Sequence, residues 1–188
     1  DRLHRLDRFL EALVDPPGRR YCWWVGYFTN QQKAALLTPE FAAQLARPDA
    51  TDVLDAAYNT NTARTLLDRT LSADVRTYLP GDLLPKGDIA SMAHGLEARS
   101  PLLDHEVMEF CARLPVSMKI KGRTTKYLLK RIARELVPAE VVDRPKRGFA
   151  APVDHWLRSD LREMADDCLF SPRATGRGYF EAAAVRHL

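Results

Sequence analysis

Apolar residues recur at spacings of three and four along much of this chain, and prolines repeatedly separate the apolar segments. This spacing places apolar side chains on one face of an α-helix. A proline inside a helix removes a backbone hydrogen bond and clashes with the preceding turn, so helices tend to end near prolines. The chain has 12 prolines spread between its apolar segments. The sequence therefore predicts a mainly α-helical chain built from many short helices.

Local signals predict where the first helices begin and end. The DPPG segment at residues 15–18 ends an N-terminal helix. Thr38 and Pro39 begin another, since threonine caps helices and proline suits the first helical position. The aromatic run at residues 21–28 fits either a strand or a buried helical turn, and its periodicity does not decide between them.

Two consecutive helices are predicted in the middle of the chain. The first extends from about residue 62 to residue 79 and ends at Pro80 and Gly81, both of which break helices. The second covers residues 83–94 despite its internal proline and glycine. Gly95 follows it as a C-terminal stop, because glycine readily adopts the left-handed conformation that ends many helices.

The C-terminal part is predicted to contain at least four more helices. Asp104 is the expected N-cap of one, and Thr124 or Thr125 is the expected cap of the next. Two short helices are predicted near residues 153–158 and 160–169. The helix after the threonines is expected to bury one apolar face, formed by Leu128, Leu129, Ile132 and Leu136.

Length and composition fit one globular domain or a large piece of one. The chain has 188 residues, of which 46% are hydrophobic and 28% charged, as is ordinary for globular proteins. No segment approaches the roughly 18 consecutive apolar residues of a membrane span. The charged N-terminus does not have the form of a secretory signal. It also lacks an initiator methionine, so we expect the chain to be a piece of a longer protein.

Cysteine usage predicts a reduced, cytoplasmic protein. Cys22, Cys111 and Cys168 lie far apart in the sequence. An odd number of cysteines without CxxC spacing argues against a disulfide framework and against a zinc site. The sequence also lacks HExxH and other metal-ligand spacings, and it lacks a glycine-rich phosphate loop of the GxxxxGK(S/T), GxGxxG or SGGxDS type. We therefore predict structural cysteines and no metal site within this chain.

Positive charge is concentrated in one segment. The net charge of the chain is only +3, but residues 119–147 carry ten Lys or Arg and three acidic residues, a net charge of +7. Within this segment Lys126, Lys130 and Arg134 are four residues apart and project from one helix face. A solvated helix face has this pattern, and so does a surface that attracts phosphates, nucleic acid or acidic partners. Both interpretations remain open at this point.

Polar residues interrupt residues 79–104 more often than simple packing requires. Asp88 and Ser91 are three residues apart and can share a helical face. Glu97 and Arg99 follow the predicted helix and can form an ion pair that fixes the next loop. A structural polar network and a functional site are both compatible with this segment. Its other polar side chains include His94 and Asp104.

The segment DRPKRGFAAP at residues 143–152 cannot form a regular helix because prolines and a glycine interrupt it. Lys146 lies between Pro145 and Gly148, and Phe149 can anchor the loop in a core. A lysine held on a rigid loop is suited to neutralise phosphate charge in a transition state. The alternative is a basic surface turn.

Three blocks of the sequence match, in order and spacing, a pattern known from one enzyme family. They read LPGDLLPKGDIASMAHGLEARSPLLDH at residues 79–105, GRTTKYLLK at 122–130 and DRPKRGFAAP at 143–152. The family pattern is LPxDLLxKxDxxSMAHxLExRxPFLDH, then GRTKYLLR, then DRPKxGFxxP. Three matched blocks over about 75 residues are far more specific than one short motif. The chain thus resembles the asparagine synthetase family from about residue 60 to its end, and more loosely before.

The resemblance implies a fold and an activity for the intact protein. The chain resembles the helical C-terminal part of an α/β, adenine-nucleotide alpha-hydrolase-like synthetase domain. Family members use ATP and Mg²⁺ to adenylate a carboxylate, usually that of aspartate, with release of pyrophosphate. Ammonia from glutamine, produced by an N-terminal glutaminase domain with a catalytic cysteine, then attacks the acyl-adenylate.

The family's nucleotide loop SGGxDS, its SGEGxDE block and its glutaminase cysteine precede the matched region and have no counterpart in this sequence. We therefore expect residues 1–188 to be a single domain piece, with ATP and Mg²⁺ bound mainly by the missing N-terminal part. We also expect the isolated chain to be inactive, as an incomplete asparagine synthase of the ligase class.

Residue by residue, the resemblance implies only a few roles. Lys146 matches the lysine of the family's RPK motif, which contacts the reacting phosphate and acyl centre, so it is the expected catalytic residue. Lys126 matches the helical lysine near the pyrophosphate. Lys126 and Lys146 are therefore both expected to bind ATP or pyrophosphate. Asp88, Glu97 and Arg99 match polar positions of the first block and are expected to shape the site.

Other functions remain open at the level of the sequence. A related amidotransferase, a β-lactam synthetase or a lasso-peptide cyclase would act on another carboxylate and share the lysine loop. A basic helical module that binds nucleic acid is a further alternative, but only Tyr127 and Phe149 lie near the basic segment as aromatics for base stacking. We predict neither a nucleic-acid partner nor a membrane partner, and a homodimer is left open.

Overall fold

The computed structural model describes residues 9–10, 12–45, 50–145 and 151–187. Helices dominate these residues, and strand structure within them is limited to one short hairpin and one isolated bridge. The predicted mainly α-helical character is therefore confirmed. The chain divides into two compact units. The first unit comprises the described residues of 9–25 and 50–145, and the second unit comprises those of 26–45 and 151–187.

The helices are numbered in chain order. The first seven are α1 (Pro17–Val25), α2 (Asn30–Leu36), α3 (Pro39–Gln44), α4 (Ala50–Asn59), α5 (Leu66–Arg76), α6 (Leu84–Met92) and α7 (His105–Arg113). The others are α8 (Val116–Lys119), α9 (Tyr127–Leu136), α10 (Ala139–Val142), α11 (Val153–Arg158), α12 (Arg162–Phe170), α13 (Pro172–Thr175) and α14 (Ala182–Arg186). A 3-10 turn at Pro101–Leu103 precedes α7, and the strands β1 (Ile120–Lys121) and β2 (Thr124–Thr125) precede α9.

The core of the first unit lies between α1, α4 and α5. Its buried residues are Tyr21, Tyr58 and Ala73, against which Val25 and Leu54 pack. The ring centroids of Tyr21 and Tyr58 are 6.1 Å apart, within the range of favourable aromatic pairs. The helical alternative for the aromatic run is therefore correct up to Val25, where α1 ends.

The chain stays helical at Pro80 and Gly81, which corrects the predicted helix end. A π-helical turn covers Leu79–Leu83 and continues directly into α6. In this turn the N–H of Leu84 donates to the carbonyl five residues earlier. A proline in the first turn of a helix lacks only a donor that would have no partner there. Pro80 occupies such a position in the π-helical turn. Pro85 is the second residue of α6, directly after that turn, and neither proline ends the helical conformation.

Helix α6 ends at Met92, and Gly95 follows it as the predicted C-terminal stop. This glycine has a φ of +68°, the left-handed conformation that side chains disfavour. Its N–H donates to the carbonyl of Met92 at 2.9 Å, and the N–H of Leu96 donates to that of Ser91 at 3.1 Å. These two bonds form a Schellman motif, which satisfies carbonyls at the helix end.

The entry to α9 differs from the prediction, because neither threonine caps the helix. Thr124 and Thr125 form β2, which pairs with β1 across a turn that contains Gly122 at a φ of +58°. A positive φ suits a two-residue hairpin turn. Lys126 takes the N-cap position instead, with φ 53° and ψ 39° and no side-chain capping bond. The hairpin uses the threonines as strand residues, so a single left-handed residue makes the change from strand to helix.

The apolar stripe of α9 is present, but it is not buried by the described residues. The exposed fractions are 44% for Leu129, 49% for Ile132 and 77% for Leu136. The prediction that this face points into a core is therefore wrong for this part of the molecule. The stripe still has the spacing of a packing surface.

Within the described ranges no helix is long and apolar enough to cross a membrane.

The second unit is joined by backbone and side-chain bonds between its first and last segments. Leu37 forms an antiparallel bridge with Phe180. The hydroxyl of Thr38 donates to the carbonyl of Gly178 at 2.6 Å and accepts from the N–H of Phe41 at 3.2 Å. Thr38 is thus the predicted helix cap, and it also links two distant parts of the chain. The short helices predicted near 153–158 and 160–169 are confirmed as α11 and α12.

Candidate functional site

Glu97 and Arg99 form the ion pair that the sequence predicted. The Nε and Nη2 atoms of Arg99 both lie 2.9 Å from Oε1 of Glu97. The side chain of Glu97 is 65% exposed and that of Arg99 is 83% exposed. Water therefore screens most of their attraction, and the pair adds little to stability. In this arrangement the pair places two opposite charges side by side in the irregular segment after α6.

A concave surface that encloses a volume of about 580 Å³ lies at this ion pair. Asp104 also lies on it, where its carboxylate caps α7 by accepting the N–H of Glu106 at 2.9 Å. One carboxylate of this surface therefore caps a helix, and the Glu97–Arg99 ion pair lies beside it on the open surface. The surface mixes polar and apolar groups, and its lining residues are Leu84, Glu97, Ala98, Arg99, Ser100, Pro101, Leu103 and Asp104.

Asp88 does not join the other two predicted site-shaping residues on this surface. It lies on α6 and is exposed. The hydroxyl of Ser91 donates to its backbone carbonyl at 3.2 Å, which leaves the carboxylate out of that contact. The structure therefore brings Glu97 and Arg99 together, and it places Asp88 outside the lining of the concave surface.

Lys126 lies at the junction between β2 and α9 in a left-handed backbone conformation. Among the described residues it is the one non-glycine residue with a positive φ. For a residue with a side chain, adopting this conformation costs about 1–2 kcal/mol. Residues in such conformations are concentrated at functional sites. The side chain of Lys126 is exposed. The charge is therefore presented to solvent from a tightly defined backbone position.

The row of cations predicted on α9 is only partly available to a ligand. Arg134 donates to the carboxylate of Asp143 at 2.7 Å, which links α9 to the segment after α10. Lys126 and Lys130 have no carboxylate within ion-pair distance among the residues that the structure describes. Lys146, the predicted catalytic residue, lies outside the described residues, so its position relative to Lys126 is a prediction from the sequence alone.

Tyr127 contacts two of the cations near the start of α9, although the sequence did not single it out for such a role. The Nζ atom of Lys121 lies 3.4 Å from its hydroxyl and 5.1 Å from its ring centroid. The Arg131 guanidinium lies 6.0 Å from the same centroid. The hydrogen bond from Lys121, together with the charge of Arg131, lowers the pKa of the Tyr127 phenol. The sequence signal was the spacing of four residues between Tyr127 and Arg131, which places them on one helix face.

Lys119 holds the base of the hairpin against α5. Its Nζ donates to Oδ1 of Asp68 at 2.6 Å and to the carbonyl of Ala112 at 3.0 Å. The side chains of Lys119 and Asp68 are 14% and 24% exposed. Since β1 begins at the next residue, Ile120, this contact fixes where the hairpin leaves the first unit. The hairpin in turn leads to Lys126.

Most cations at the hairpin and the start of α9 therefore form no ion pair with the residues that the structure describes. Lys119 and Arg134 are paired with acids, but the other cations have no carboxylate partner within the described part of the chain. Such a surface attracts anions. The described residues contain no group of His, Cys, Asp and Glu side chains that could hold a metal ion. The cations in question are Lys121, Arg123, Lys126, Lys130 and Arg131.

Comparison with protein families gives one match that covers nearly the whole chain. The model of the family described as asparagine synthase matches residues 6–188. No solved structure matches the chain.

Individual relatives agree with the family match over the part of the chain that they cover. A Mycobacterium tuberculosis protein, named provisionally as a glutamine-hydrolysing asparagine synthetase, is 44% identical over 122 residues, which are 63% of this chain and 19% of the relative. Glutamine-hydrolysing asparagine synthetase 1 of Bacillus subtilis is 36% identical over 112 residues, 60% of this chain and 18% of the relative. The amidase chry2 of Gibberella zeae is 25% identical over 119 residues, 60% of this chain and 18% of the relative. The matched part of the chain thus spans about a fifth of the length of these relatives.

Proposed function

Because the chain belongs to the asparagine synthase family, we propose that it is the helical C-terminal part of an ATP-dependent asparagine synthetase. The observation that carries this proposal is the set of cations without carboxylate partners at the hairpin and the start of α9, within the described residues. Pyrophosphate is a strongly charged leaving group, and cations directed at it favour its departure. The relatives' names support asparagine as the product.

The proposed reaction has two steps. A carboxylate oxygen of aspartate attacks the α-phosphorus of ATP, the bond to the bridging oxygen of the β-phosphate breaks, and pyrophosphate leaves. Ammonia then attacks the acyl carbon and forms the new C–N bond. The bond between the acyl carbon and the bridging oxygen breaks, AMP leaves with that oxygen and the electron pair, and one proton passes to solvent. We assign Lys126 to the leaving pyrophosphate. We assign Lys146 to the reacting phosphate and acyl centre, as the sequence predicts.

The residues present fit the phosphate groups of ATP better than they fit its metal ion. The cations described above match phosphate oxygens, which only accept hydrogen bonds. Mg²⁺ binds carboxylates and phosphate oxygens, and the described residues hold no suitable acidic cluster. We therefore assign Mg²⁺, the nucleotide-binding loop and the glutaminase that supplies ammonia to parts of the enzyme outside this chain. Glu97, Arg99 and Asp88 are assigned to shaping the site.

The test is an assay of the longer polypeptide that contains this chain, supplied with ATP, aspartate and glutamine. We expect the unaltered enzyme to release pyrophosphate and to form asparagine. Lys146→Met should lower kcat about 100-fold, the magnitude typical of losing a preorganised electrostatic contact, and Lys126→Met should lower it less. Arg158→Gln, which removes one charge from the exposed pair with Asp154, is the matched control. Full activity of both lysine variants would contradict the assignment.

A related enzyme that acts on another carboxylate is the alternative, and the similarity to an amidase favours keeping it. Exchange of labelled pyrophosphate into ATP reports the adenylation step for any carboxylate. Exchange that depends on aspartate supports asparagine synthesis. Exchange that occurs only with a different carboxylate would transfer the same roles of Lys126 and Lys146 to an amidotransferase or a ring-closing synthetase.

A further inference from the structure

The phenol of Tyr127 retains an unused hydrogen-bond donor next to two cations. An ammonium group can only donate hydrogen bonds, so Lys121 uses a lone pair of the Tyr127 oxygen at 3.4 Å and leaves the phenol hydrogen free. Among the described residues no acceptor lies within hydrogen-bond distance of that hydrogen. The side chain of Tyr127 is half-buried, and Lys121 and Arg131 are exposed. An incoming acceptor can therefore reach all three groups.

The local structure holds these three donors at one place. Lys121 is fixed in β1 by its pairing with Thr124. Tyr127 is the first residue of α9, and Arg131 lies one turn later, where side chains four apart meet. Lys126 makes the change from strand to helix in a single residue, so the hairpin and the first turn of α9 stay adjacent.

Two like charges against one ring repel each other, which is costly unless an anion or a carboxylate compensates them. In the described part of the chain no carboxylate lies within ion-pair distance of Lys121 or Arg131. A carboxylate monoanion would satisfy two donors. A diphosphate offers more acceptor oxygens and more charge, and so matches an ammonium, a guanidinium and a phenol together.

We propose that Tyr127, Lys121 and Arg131 form a binding site for a diphosphate group, with the Tyr127 hydroxyl as a donor to a phosphate oxygen. The choice of pyrophosphate over other oxyanions rests on the proposed function. The site extends that function by adding a neutral, directional donor and two cations to Lys126. Its residues bind the leaving group and do not touch the acyl carbon.

The direct test is a titration of the 188-residue chain with inorganic pyrophosphate, followed by NMR of ¹³Cζ-labelled tyrosine. Loss of one signal in Tyr127→Phe identifies the Tyr127 resonance. We expect pyrophosphate to shift this resonance and to raise the pKa of the phenol, because a bound anion opposes its ionisation. Tyr127→Phe, Lys121→Gln and Arg131→Gln should each weaken binding about tenfold, as for a lost hydrogen bond to a charged group.

Two control variants match these changes chemically. Tyr27→Phe removes a hydroxyl from a tyrosine that is 93% exposed, and Arg158→Gln removes one positive charge from α11. Neither should alter pyrophosphate affinity. Retained affinity in all three site variants would overturn the proposal. Binding of a single-stranded oligonucleotide through the same residues, without displacement by pyrophosphate, would also overturn the proposal. The surface would then be a nucleic-acid-binding surface.

A second measurement keeps the proposal testable if a variant of the isolated chain does not fold. In the longer enzyme, product inhibition by pyrophosphate should weaken about tenfold in Tyr127→Phe. Unchanged inhibition would overturn the site, even if that enzyme forms asparagine normally. Conversely, pyrophosphate binding that requires Tyr127, in a polypeptide that adenylates no carboxylate, would support the diphosphate site and refute the proposed function.

Discussion

Lys119, the last residue of α8, forms a mostly buried ion pair with Asp68 in the first turn of α5, with Nζ and Oδ1 2.6 Å apart. The Asp68 carboxylate also accepts the hydroxyl of Thr65 at 2.7 Å. The pair therefore joins two segments that are 51 residues apart in sequence. Because β1 begins directly after Lys119, this contact sets the position of the hairpin and of the cations that follow it.

The Lys119–Asp68 pair should make stability depend on pH in the acid range. The hydrogen bond from Lys119 lowers the pKa of the Asp68 carboxyl in the fold. A lowered pKa contributes stability above the unfolded value of about 3.9, and this contribution is lost as pH falls through the folded value. We expect Lys119→Met to lower the free energy of unfolding by about 1 kcal/mol at pH 7, and urea unfolding at several pH values measures it.

The difference between Lys119→Met and the unaltered chain should shrink below pH about 3.9, as the carboxyl becomes neutral in both states. Lys86→Met is the control, because Lys86 and Asp82 form an exposed pair at 3.6 Å that should contribute little at any pH. A difference for Lys119→Met that stays constant with pH would indicate lost packing instead of a lost ion pair.

Gly87 and Gly95 should respond in opposite ways to substitution by alanine. Gly87 lies inside α6 with open space where an added methyl group would lie, whereas Gly95 has a φ of +68°. Gly87→Ala should raise the free energy of unfolding by about 0.5–1 kcal/mol. Gly95→Ala should lower it by about 1 kcal/mol. Urea unfolding of both variants tests the C-terminal stop directly, and a change of the same sign in both would contradict it.

Lys126→Gly should stabilise the chain although it removes a charge. Glycine adopts the left-handed conformation of Lys126 without the penalty of a side chain, so we expect a gain of about 1 kcal/mol in the free energy of unfolding. Lys130→Gly is the matched control, since it lies inside α9 and should cost about 1 kcal/mol. Thermal unfolding distinguishes them. Equal destabilisation by both substitutions would mean that the junction carries no strain.

The Tyr21 phenol should ionise only at a pH well above the usual range of tyrosine. Burial, together with a 2.6 Å hydrogen bond to Asp74, raises the pKa of its phenol well above the usual range. Stability from this group is full below the unfolded pKa of about 10 and is lost as pH rises toward the folded value. Tyr21→Phe should cost about 1 kcal/mol at pH 7 and reduce the alkaline loss of stability. In an ultraviolet titration of tyrosine, Tyr21→Phe should lose an ionisation above the usual range, and the exposed control Tyr27→Phe should keep it.

Local rules predicted three of the caps and stops of this chain, but not the entry to α9 or the path of the chain at Pro80. Thr38, Asp104 and Gly95 each act through hydrogen bonds or backbone angles within a few residues, so a short window of sequence contains the necessary information. The Glu97–Arg99 ion pair was predictable for the same reason, since its partners are two residues apart.

Features that depend on several elements were not predictable. The threonines before α9 suit both a helix cap and a β-strand. In the structure they pair with β1 and are therefore strand residues. Burial of the α9 stripe depends on what covers it, which periodicity does not specify. The Tyr127 site required the hairpin, because Lys121 reaches the ring only after β1 and β2 pair.

The π-helical turn at Leu79–Leu83 has a consequence for how this segment tolerates insertions and deletions. Such a turn holds one residue more than an α-helical turn through its i to i+5 hydrogen bonding. Deleting one of its residues would bring this turn closer to α-helical spacing. The same deletion would rotate α6, and the Glu97–Arg99 segment after it, by about 100° relative to α5. The additional residue of the π-helical turn therefore sets the direction in which α6 and the Glu97–Arg99 segment continue.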